Sequence, residues 1–486
     1  MSLLDYLLPY DFSPLTVLSY MLVMGFYGIG LLRMPEQDRP GALRIFAFTL
    51  GVIICYAVMQ TRLDYYAQYM FFVHRGQHLI LHHIGPILIA LSNPLPIMGF
   101  WFARINPRWK QALRPIGWAY KLLQQPFIAL FLFVGLIYFW LWPPIHFDAM
   151  LSRDLYWVMN WSMLLDGLLF WWLIFDPRPP AITSSLGYGK RMLILAVAGV
   201  LQMILGAWIV FSRDMVYDVY EVCGRAWPLD PEVDQFLGGL LTYIPTGHDE
   251  HSRHSPYPPS CHARRREIHE SFQKPGGKSI MNTRFWRHRT KALSCIALMV
   301  MSILLTGCFG NDEDWHGKDI SGLMPGLEFD LINSQGEPVS GSDYSGRVRM
   351  LFFGFTSCPD VCPTALQKLN QAASGLDPEL QDEVLTLFVS VDPKRDTPER
   401  LAEYVNFFGD NIVGLTGTEP QLRELAKRYR TTFGYDEPGP DGNYAVSHSS
   451  AVYIFDREGD PRLLVRPDLS SEEIRQDLVA LIQEDS

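Results

Sequence analysis

The stretch Phe352-Phe-Gly-Phe-Thr-Ser-Cys358-Pro-Asp-Val-Cys362-Pro363 decides how the C-terminal part of this chain folds. It overlaps the apolar run Met350 to Phe353, which predicts a buried strand, and it leads into a predicted helix. The N-terminus of a helix favours negative charge, so a cysteine placed there is shifted towards the thiolate. Thiolate is a ligand for Cu(I) and a nucleophile in disulfide exchange. The stretch therefore predicts a strand–loop–helix unit that carries soft-metal or redox chemistry.

A candidate third ligand lies downstream of the two cysteines. His448 stands in Val446-Ser-His-Ser-Ser-Ala-Val-Tyr-Ile-Phe455, at the head of another strand-like run. The cysteine spacing is Cys-x3-Cys, whereas thioredoxin-like redox motifs use Cys-x2-Cys. Two nearby cysteines in an exported domain can also form a structural disulfide, and a histidine at a strand start can be a plain surface residue. The spacing alone leaves these alternatives open.

Four blocks of the C-terminal part resemble the Sco/SenC family of copper chaperones for cytochrome c oxidase. The blocks are FFGFTSCPDVCP (352–363), VSVDPKRDTPE (389–399), IVGLTGT (412–418) and VSHSSAVYIFD (446–456). The resemblance covers roughly residues 322–483. It implies a thioredoxin-like fold in which Cys358, Cys362 and His448 hold copper.

Four further residues in these blocks have predicted structural roles. We expect Asp360 and Pro363 to shape the loop and the start of the helix. We expect Asp392 and Asp396 to fix their own loop and to cap the helix that follows it. None of the four is predicted to be catalytic.

The composition divides the 486-residue chain into two parts, as expected for more than one domain. Residues 1–246 are apolar and aromatic, whereas residues 309–486 have the composition of an acidic soluble domain. The mean hydropathy of +0.06 and the net charge of −10 average over this division. Neither part is basic enough to indicate nucleic-acid binding. We predict a two-part chain, with an α-helical polytopic membrane domain followed by an α/β thioredoxin-like domain.

Six apolar segments in the first part each approach the roughly 20 residues needed to cross a bilayer. They span about 14–32, 41–59, 77–99, 124–142, 155–175 and 191–211. Pro86, Pro94 and Pro96 interrupt the third segment, so we expect it to kink or to end early.

The basic residues between these segments predict the orientation. Connections 33–44, 104–121 and 178–191 hold most of the Lys and Arg, so the positive-inside rule places them in the cytoplasm. The N-terminus is then outside, and so is the chain after the sixth segment. The next apolar piece, Phe236 to Ile244, is too short to cross.

Three histidines lie on one face near the start of the third segment. His74, His78 and His82 recur every four residues and fall within an arc of about 80° in a regular helix. Such a stripe can bind copper, zinc or haem iron, or its members can cap the helix and bond to backbone or lipid. Asp166, in the middle of the fifth segment, predicts either a polar contact between helices or proton or metal handling.

The first part resembles the CtaG-type cytochrome c oxidase assembly factors, a membrane family linked to copper delivery. The resemblance rests on HRGQHLILHHIGPILIAL (74–91), DGLLFWW (166–172) and DQFLGGLLTYIP (234–245), and it covers about 20–246. It implies a domain over 1–246 with about six spans and a truncated seventh. This chain has Pro143 and Asn160 where members usually carry histidines. Only His74, His78 and His82 therefore carry over as a possible membrane metal site.

A second start occurs inside the chain at Met281. A basic stretch is followed by the 14-residue apolar core Ala292 to Leu305 and then by Leu305-Thr-Gly-Cys308. This pattern is typical of a lipoprotein signal and anchor over 281–308, with Cys308 as the lipidation site. The alternative is a chance Leu-x-Gly-Cys after a membrane helix. The soluble domain then occupies 309–486.

Residues 247–280 fit neither part. They are rich in His, Ser, Pro and Arg and have no period, which is typical of a linker or an out-of-frame junction; a metal-binding tract is the alternative. The predicted topology leaves the chain outside after the sixth segment, whereas a second signal would have to enter the membrane from the cytoplasmic side. We infer that two adjacent reading frames are joined here.

Together these features predict a copper chaperone and assembly factor for cytochrome c oxidase. Copper would be delivered to the dinuclear copper centre of subunit II, and the partners would be subunit II and other assembly factors. One alternative is a thiol–disulfide oxidoreductase, in which Cys358 and Cys362 form a redox-active disulfide and keep the subunit II cysteines reduced. Another is a membrane scaffold. A metallochaperone need not be an enzyme. The predicted location is the bacterial inner (cytoplasmic) membrane, multi-pass, with the C-terminal domain facing the periplasm.

Overall fold

The computed structural model describes residues 8–104, 113–177, 186–243, 315–440 and 443–484, together with 106, 108 and 111. The N-terminal part is helical. Its helices are α1 (Pro14–Arg33), α2 (Ala42–Gln60), α3 (Arg62–Tyr69), α4 (Phe71–Leu79), α5 (Gly85–Leu91), α6 (Leu95–Arg104), α7 (Arg114–Leu123), α8 (Pro126–Trp140), α9 (Pro143–Leu151), α10 (Arg153–Phe175), α11 (Tyr188–Phe211), α12 (Val219–Val222) and α13 (Pro231–Tyr243). A short 3-10 helix covers Glu36–Asp38, and a π-helical turn, Ile80–Ile84, joins α4 to α5.

Four helices in the described part are long and apolar enough to cross a membrane: α1, α2, α10 and α11. Two bent pairs pass the same test, namely 71–91 with 95–104 and 114–123 with 126–140, which bend by 73° and 76°. If each bent pair is one span, the total is six. These elements lie where the six apolar segments predict them.

The third span has the interruption that its prolines predict. Pro86 has no N–H to give to the carbonyl of His82, and the indole N–H of Trp171 donates to that carbonyl instead, at 3.0 Å. The helix then ends at Ser92, and Asn93 adopts a left-handed backbone with φ 50° before α6 begins. Pro86 therefore interrupts this span, but the carbonyl of His82 still has a hydrogen-bond partner.

Helix α13 is held against the bundle by small residues and one carboxylate. A Cβ added at Gly238 would lie 2.3 Å from the ring of Phe71, so only glycine allows this approach. Asp234 accepts hydrogen bonds from the backbone N–H groups of Phe71 and Phe72, at 3.0 and 2.8 Å, at the start of α4. The stretch predicted as a truncated seventh span is thus a 13-residue helix docked on α4 and α11.

The C-terminal part is a mixed sheet flanked by helices, which confirms the predicted fold class. Its strands are β1 (Lys318–Asp319), β2 (Asp330–Asn333), β3 (Pro338–Ser340), β4 (Val348–Gly354), β5 (Val384–Ser390), β6 (Ile412–Thr416), β7 (Gly434–Tyr435), β8 (Val446–Ser447), β9 (Val452–Phe455) and β10 (Pro461–Val465). Its helices are α14 (Val361–Ser374), α15 (Pro398–Phe408), α16 (Glu419–Arg428) and α17 (Ser471–Glu484), with 3-10 helices at Gly341–Tyr344 and Gln381–Glu383.

Eight of these strands form one sheet in the order β1-β10-β9-β4-β5-β6-β2-β3. Strand β4 pairs in parallel with β5, and α14 connects these two strands along the chain. On its other side β4 pairs antiparallel with β9, and the hairpin β9–β10 leads into α17. This is the thioredoxin-like arrangement of a βαβ unit beside a ββα unit. Every residue of β4 and β5 is buried, as expected for central strands covered on both faces. The carboxyl end of β4 therefore opens directly into the loop that carries the cysteines.

Candidate metal centre

The two cysteines lie at the junction of β4 and α14. Cys358 is in the loop and half-buried, whereas Cys362 is in the first turn of the helix and fully buried. Gly354 makes room for the second sulfur, because a Cβ at this position would lie 2.6 Å from Cys362 Sγ. A buried strand, a glycine and a helix start thus place both sulfurs at one point.

The start of the helix polarises the first cysteine. The backbone N–H of Cys362 points at Cys358 Sγ, with the nitrogen 3.4 Å from the sulfur. Hydrogen bonds from the Cys362 side chain and from the backbone lower the pKa of Cys358 to about 3. The same thiolate neighbour and burial raise the pKa of Cys362. The pair is therefore a thiolate beside a buried thiol at neutral pH.

His448 follows β8 and faces both sulfurs. Its Nε2 lies 3.7 Å from Cys358 Sγ and 3.5 Å from Cys362 Sγ. Its Nδ1 lies 2.7 Å from the carbonyl of Ser449, so Nδ1 carries the proton and Nε2 offers a lone pair. The rings of Phe352 and Phe355 pack edge-on against the imidazole. The ring is thereby held with its free nitrogen towards the thiols.

The three groups fit a small soft cation. Cys358, Cys362 and His448 are the only set of three metal-ligating side chains in the described part of the chain whose ligand atoms lie within 4.8 Å of one another. With metal–sulfur and metal–nitrogen bonds of about 2.3 and 2.0 Å and a trigonal-to-tetrahedral angle, sulfur and nitrogen would stand about 3.6 Å apart. The observed separations of 3.7 and 3.5 Å match that value. The imidazole nitrogen therefore stands at a ligating distance from both sulfurs.

Asp396 clamps the loop before the first cysteine. Its carboxylate accepts from the N–H and hydroxyl of Thr356, at 2.8 and 2.6 Å, and from the hydroxyl of Ser390, at 2.6 Å. The expected role of Asp396 in fixing the loop is therefore seen. The expectation that the aspartates cap the next helix is wrong, because the side chain of Thr397 accepts from the N–H of Arg400 at the start of α15. Threonine takes this position because it directly precedes the proline at the first helical residue.

Asp392 supports the opposite side of the site. It accepts from the hydroxyl of Tyr444 at 2.6 Å and pairs with Arg395. The Arg395 guanidinium donates to the carbonyl of Tyr444 at 3.1 Å. Because Tyr444 lies four residues before His448, the block that contains Asp392 fixes the segment that presents the histidine.

The membrane histidines are buried and divide into two groups. The ring centroids of His74 and His78 lie 4.3 Å apart, and His146 from α9 lies 5.2 Å from His74. His82 stands in the π-helical turn, which changes the register of the stripe, and its Nε2 lies 3.1 Å from Asp166 Oδ2. The structure thus brings His74 and His78 together and places His82 in a polar contact between helices.

His146 and Asn160 are residues of this cluster that the sequence analysis did not select. His78 Nε2 lies 3.1 Å from Asn160 Oδ1, and His146 Nε2 lies 3.0 Å from the hydroxyl of Tyr220. Asn160 is itself one of the two positions at which members of the resembled family usually carry a histidine. His146 lies three residues after the other such position, Pro143. A search one turn to either side of Pro143 finds His146.

Cys308, the predicted lipidation site, lies outside the described residues. So do the junction 247–280 and the signal 281–308. The lipidation and the junction remain predictions.

Two family models match the chain, one in each part. Residues 321–483 match SCO1/SenC, and residues 25–248 match the cytochrome c oxidase caa3 assembly factor (Caa3_CtaG). Both resemblances inferred from motifs are confirmed.

Relatives of known name match the C-terminal domain. A SCO2-like protein of Rickettsia typhi is 36% identical over 155 residues, which are 31% of this chain and 74% of that protein. The human mitochondrial SCO1 homolog is 40% identical over 152 residues, which are 30% of this chain and 50% of that protein. Among solved structures, Bradyrhizobium japonicum ScoI with copper bound is 31% identical over 32% of this chain and 98% of its own, with a TM-score of 0.30.

Proposed function

Because this chain belongs through its C-terminal domain to the SCO1/SenC family, we propose that it carries copper as cargo and delivers it during cytochrome c oxidase assembly. The observation that carries the proposal is the convergence of Cys358, Cys362 and His448 within ligand distance. The match of residues 25–248 to an oxidase assembly factor supports the same process from the other part of the chain. The acceptor we propose is the dinuclear copper centre of oxidase subunit II.

The donor set suits cuprous copper and also suits its release. Two sulfur ligands are soft, which favours Cu(I), and one imidazole tolerates Cu(II) as well. Cys358 is half-buried while Cys362 is fully buried, so an incoming thiol of the acceptor can approach from the Cys358 side. Ligand exchange would then pass the ion from one cysteine set to the next without freeing it in water.

The location we propose is the bacterial inner (cytoplasmic) membrane with the C-terminal domain in the periplasm. In the described N-terminal part, four helices, or six spans if each bent pair counts as one, can cross a membrane by length and composition. The C-terminal domain contacts residues of the 60–70, 143–153 and 212–225 connections, which the positive-inside rule assigns to the exterior. These contacts support an exported position for the copper site.

Copper stoichiometry in the purified full chain tests the proposal. One copper at the site of Cys358, Cys362 and His448 is expected for the wild type. Cys358→Ser or Cys362→Ser should remove this one equivalent because a hydroxyl is a poor ligand for Cu(I). Cys55→Ser, which replaces a buried thiol in α2 of the membrane part, is the matched control and should keep its copper. Unchanged stoichiometry in both site variants would refute the proposal.

The second candidate function is thiol–disulfide exchange, which the low pKa of Cys358 favours. Replacement of His448 separates the two. The chief cause of the lowered pKa is the hydrogen bond from Cys362, so His448→Ala should keep a reactive thiolate while it loses a metal ligand. A copper carrier then loses affinity for copper, whereas an oxidoreductase keeps most of its exchange rate with a disulfide substrate.

For the membrane part, we propose separately that His74, His78 and His82 bind a metal ion. Metal analysis of the purified chain after copper-replete growth tests it, with the triple alanine variant as comparison. A second equivalent of copper that disappears in this variant supports the site. If the second equivalent is never present, the histidines are structural.

A further inference from the structure

Residues 8–243 and 316–484 belong to one compact unit, and Arg430 is a buried contact between its N-terminal and C-terminal parts. Its side chain is only 8% exposed and bonds to the amide oxygen of Gln68 and, at 3.4 Å, to the carbonyl of Ser152. Its guanidinium lies over the ring of Tyr156 at 5.2 Å. Arg430 also adopts a left-handed backbone, with φ 51°, which is costly for a non-glycine residue. A buried arginine inserted in this way is typical of an interaction hot spot.

The residues after Arg430 form backbone hydrogen bonds across the same contact. The N–H of Thr432 donates to the carbonyl of Cys223 at 3.1 Å. The hydroxyl of Thr431 donates to the same carbonyl at 2.9 Å. Gly224 stands directly against this edge with φ 87°, and a Cβ there would lie 2.9 Å from the carbonyl of Thr432. The close approach thus requires glycine at position 224.

Charge complementarity surrounds this centre. Lys318 pairs with Asp148 at 3.0 Å, Arg466 with Asp218 at 3.0 Å, and Lys427 with Asp11 at 3.5 Å. In each pair the cation belongs to the C-terminal domain and the carboxylate to the membrane part. The C-terminal domain is acidic by composition, so this clustering of its cations marks one face for a negatively charged partner surface.

The contact reaches the metal site through Ser449. The hydroxyl of this fully buried residue donates to the carbonyl of Val222 at 2.6 Å, and its own carbonyl accepts from His448 Nδ1 at 2.7 Å. One residue is therefore bonded on one side to the membrane part and on the other to a ligand of the site.

We propose that Arg430, Thr431, Thr432 and Ser449 form a docking surface for the membrane part, and that docking holds His448 in its ligating orientation. The membrane part is then a positioning element of the copper site, whether the two parts are one polypeptide or two. When the C-terminal domain leaves the membrane part, Ser449 loses its hydrogen bond to Val222, and His448 is held less firmly. Copper binding is then weaker, so release of copper is coupled to release of the domain from the membrane part. This inference rests on the proposed function for the identity of the ligand.

Co-capture tests the docking surface. A protease site placed within 247–280 of the full chain, with a tag after Ser486, allows the two parts to be separated in detergent and the C-terminal part to be captured. The membrane part should be captured with the wild type and with Arg475→Ala, whose arginine pairs with Glu472 inside α17. Arg430→Ala should weaken capture at least about tenfold, as expected for loss of a buried hot-spot arginine. Equal capture with both variants would overturn the docking surface.

A Cu(I)-probe competition on the uncleaved chain tests the coupling. Ser449→Ala should weaken copper binding about fivefold, the effect expected for one hydrogen bond, and Arg430→Ala should do the same from a distance. Ser449→Thr, which keeps the hydroxyl, should restore affinity, and the imidazole-nitrogen splitting in the Cu(II) spin-resonance spectrum should broaden only in the two alanine variants. If the wild type binds copper and both variants bind it equally well, the coupling is wrong. If the wild type binds no copper, the proposed function itself fails.

Discussion

Replacement of Gly354 by alanine is expected to damage the metal site by steric pressure alone. The new Cβ would lie 2.6 Å from Cys362 Sγ and 2.6 Å from the ring of Phe388, whereas ordinary contacts begin near 3.4 Å. Both neighbours are fully buried, so neither can swing into solvent. Relief requires a displacement of roughly 0.8 Å, and overpacking of this kind costs about 1–3 kcal/mol.

That displacement falls on a ligand atom. A sulfur moved by this distance no longer meets the copper at its bonding distance, so we expect Cu(I) affinity to fall at least about tenfold, or about 1.4 kcal/mol. The assay is competition with a chromophoric Cu(I) chelator. Thermal unfolding of the metal-free protein, measured alongside, should show the variant folded with a melting temperature lower by several degrees.

The matched control is Gly317→Ala in the same domain, where the nearest atom to the new Cβ lies at 3.3 Å and far from the cysteines. It should leave copper affinity unchanged. The reasoning is refuted if Gly354→Ala is folded and binds Cu(I) as tightly as the control.

Three further predictions concern the loop, the thiolate and the junction. Asp396→Asn removes the charge that accepts from three donors and should cost about 2–3 kcal/mol in unfolding free energy by chemical denaturation, whereas the exposed Asp410→Asn should be neutral. Because the pKa of Cys358 is lowered to about 3, alkylation of the reduced, metal-free protein should stay nearly constant from about pH 8 down to about pH 5. A tenfold loss of rate per pH unit over this interval, as for an ordinary thiol, would contradict the lowered value. Cys362→Ala, which removes the side-chain donor, should raise the pKa of Cys358 and make the rate depend on pH over part of this interval. An antibody to the C-terminal domain should detect a lipidated band of about 20 kDa, and a band at the full 55.6 kDa would refute the predicted split of the chain.

The metal centre could be predicted from sequence because its parts are local and chemically distinctive. The strand, the loop and the helix start follow from an apolar run that ends at a glycine and two cysteines. The position of His448 beside them follows only from the fold, since His448 precedes β9, and β9 pairs antiparallel with β4 and so begins beside the end of β4. The resemblance to a known family supplied that step, and the distances to both sulfurs agree with it.

The rest escaped sequence reasoning for identifiable reasons. The π-helical turn at Ile80–Ile84 changes which histidines share a face, and a regular period of 3.6 cannot reveal it. His146 lies three residues after Pro143, and it joins His74 only through the packing of α9 against α4, which the spacing of residues along one helix cannot show. The docking surface has no periodic signal, because Arg430 is held by single contacts to Gln68 and Ser152 that depend on the tertiary arrangement.

X-ray absorption at the copper edge of the copper-loaded full chain tests the central claim most directly. Two sulfur ligands and one imidazole nitrogen are expected for the wild type, from Cys358, Cys362 and His448. His448→Ala should keep both sulfurs and lose the imidazole signal. A wild-type spectrum with one sulfur or none, or one that His448→Ala leaves unchanged, would contradict the account.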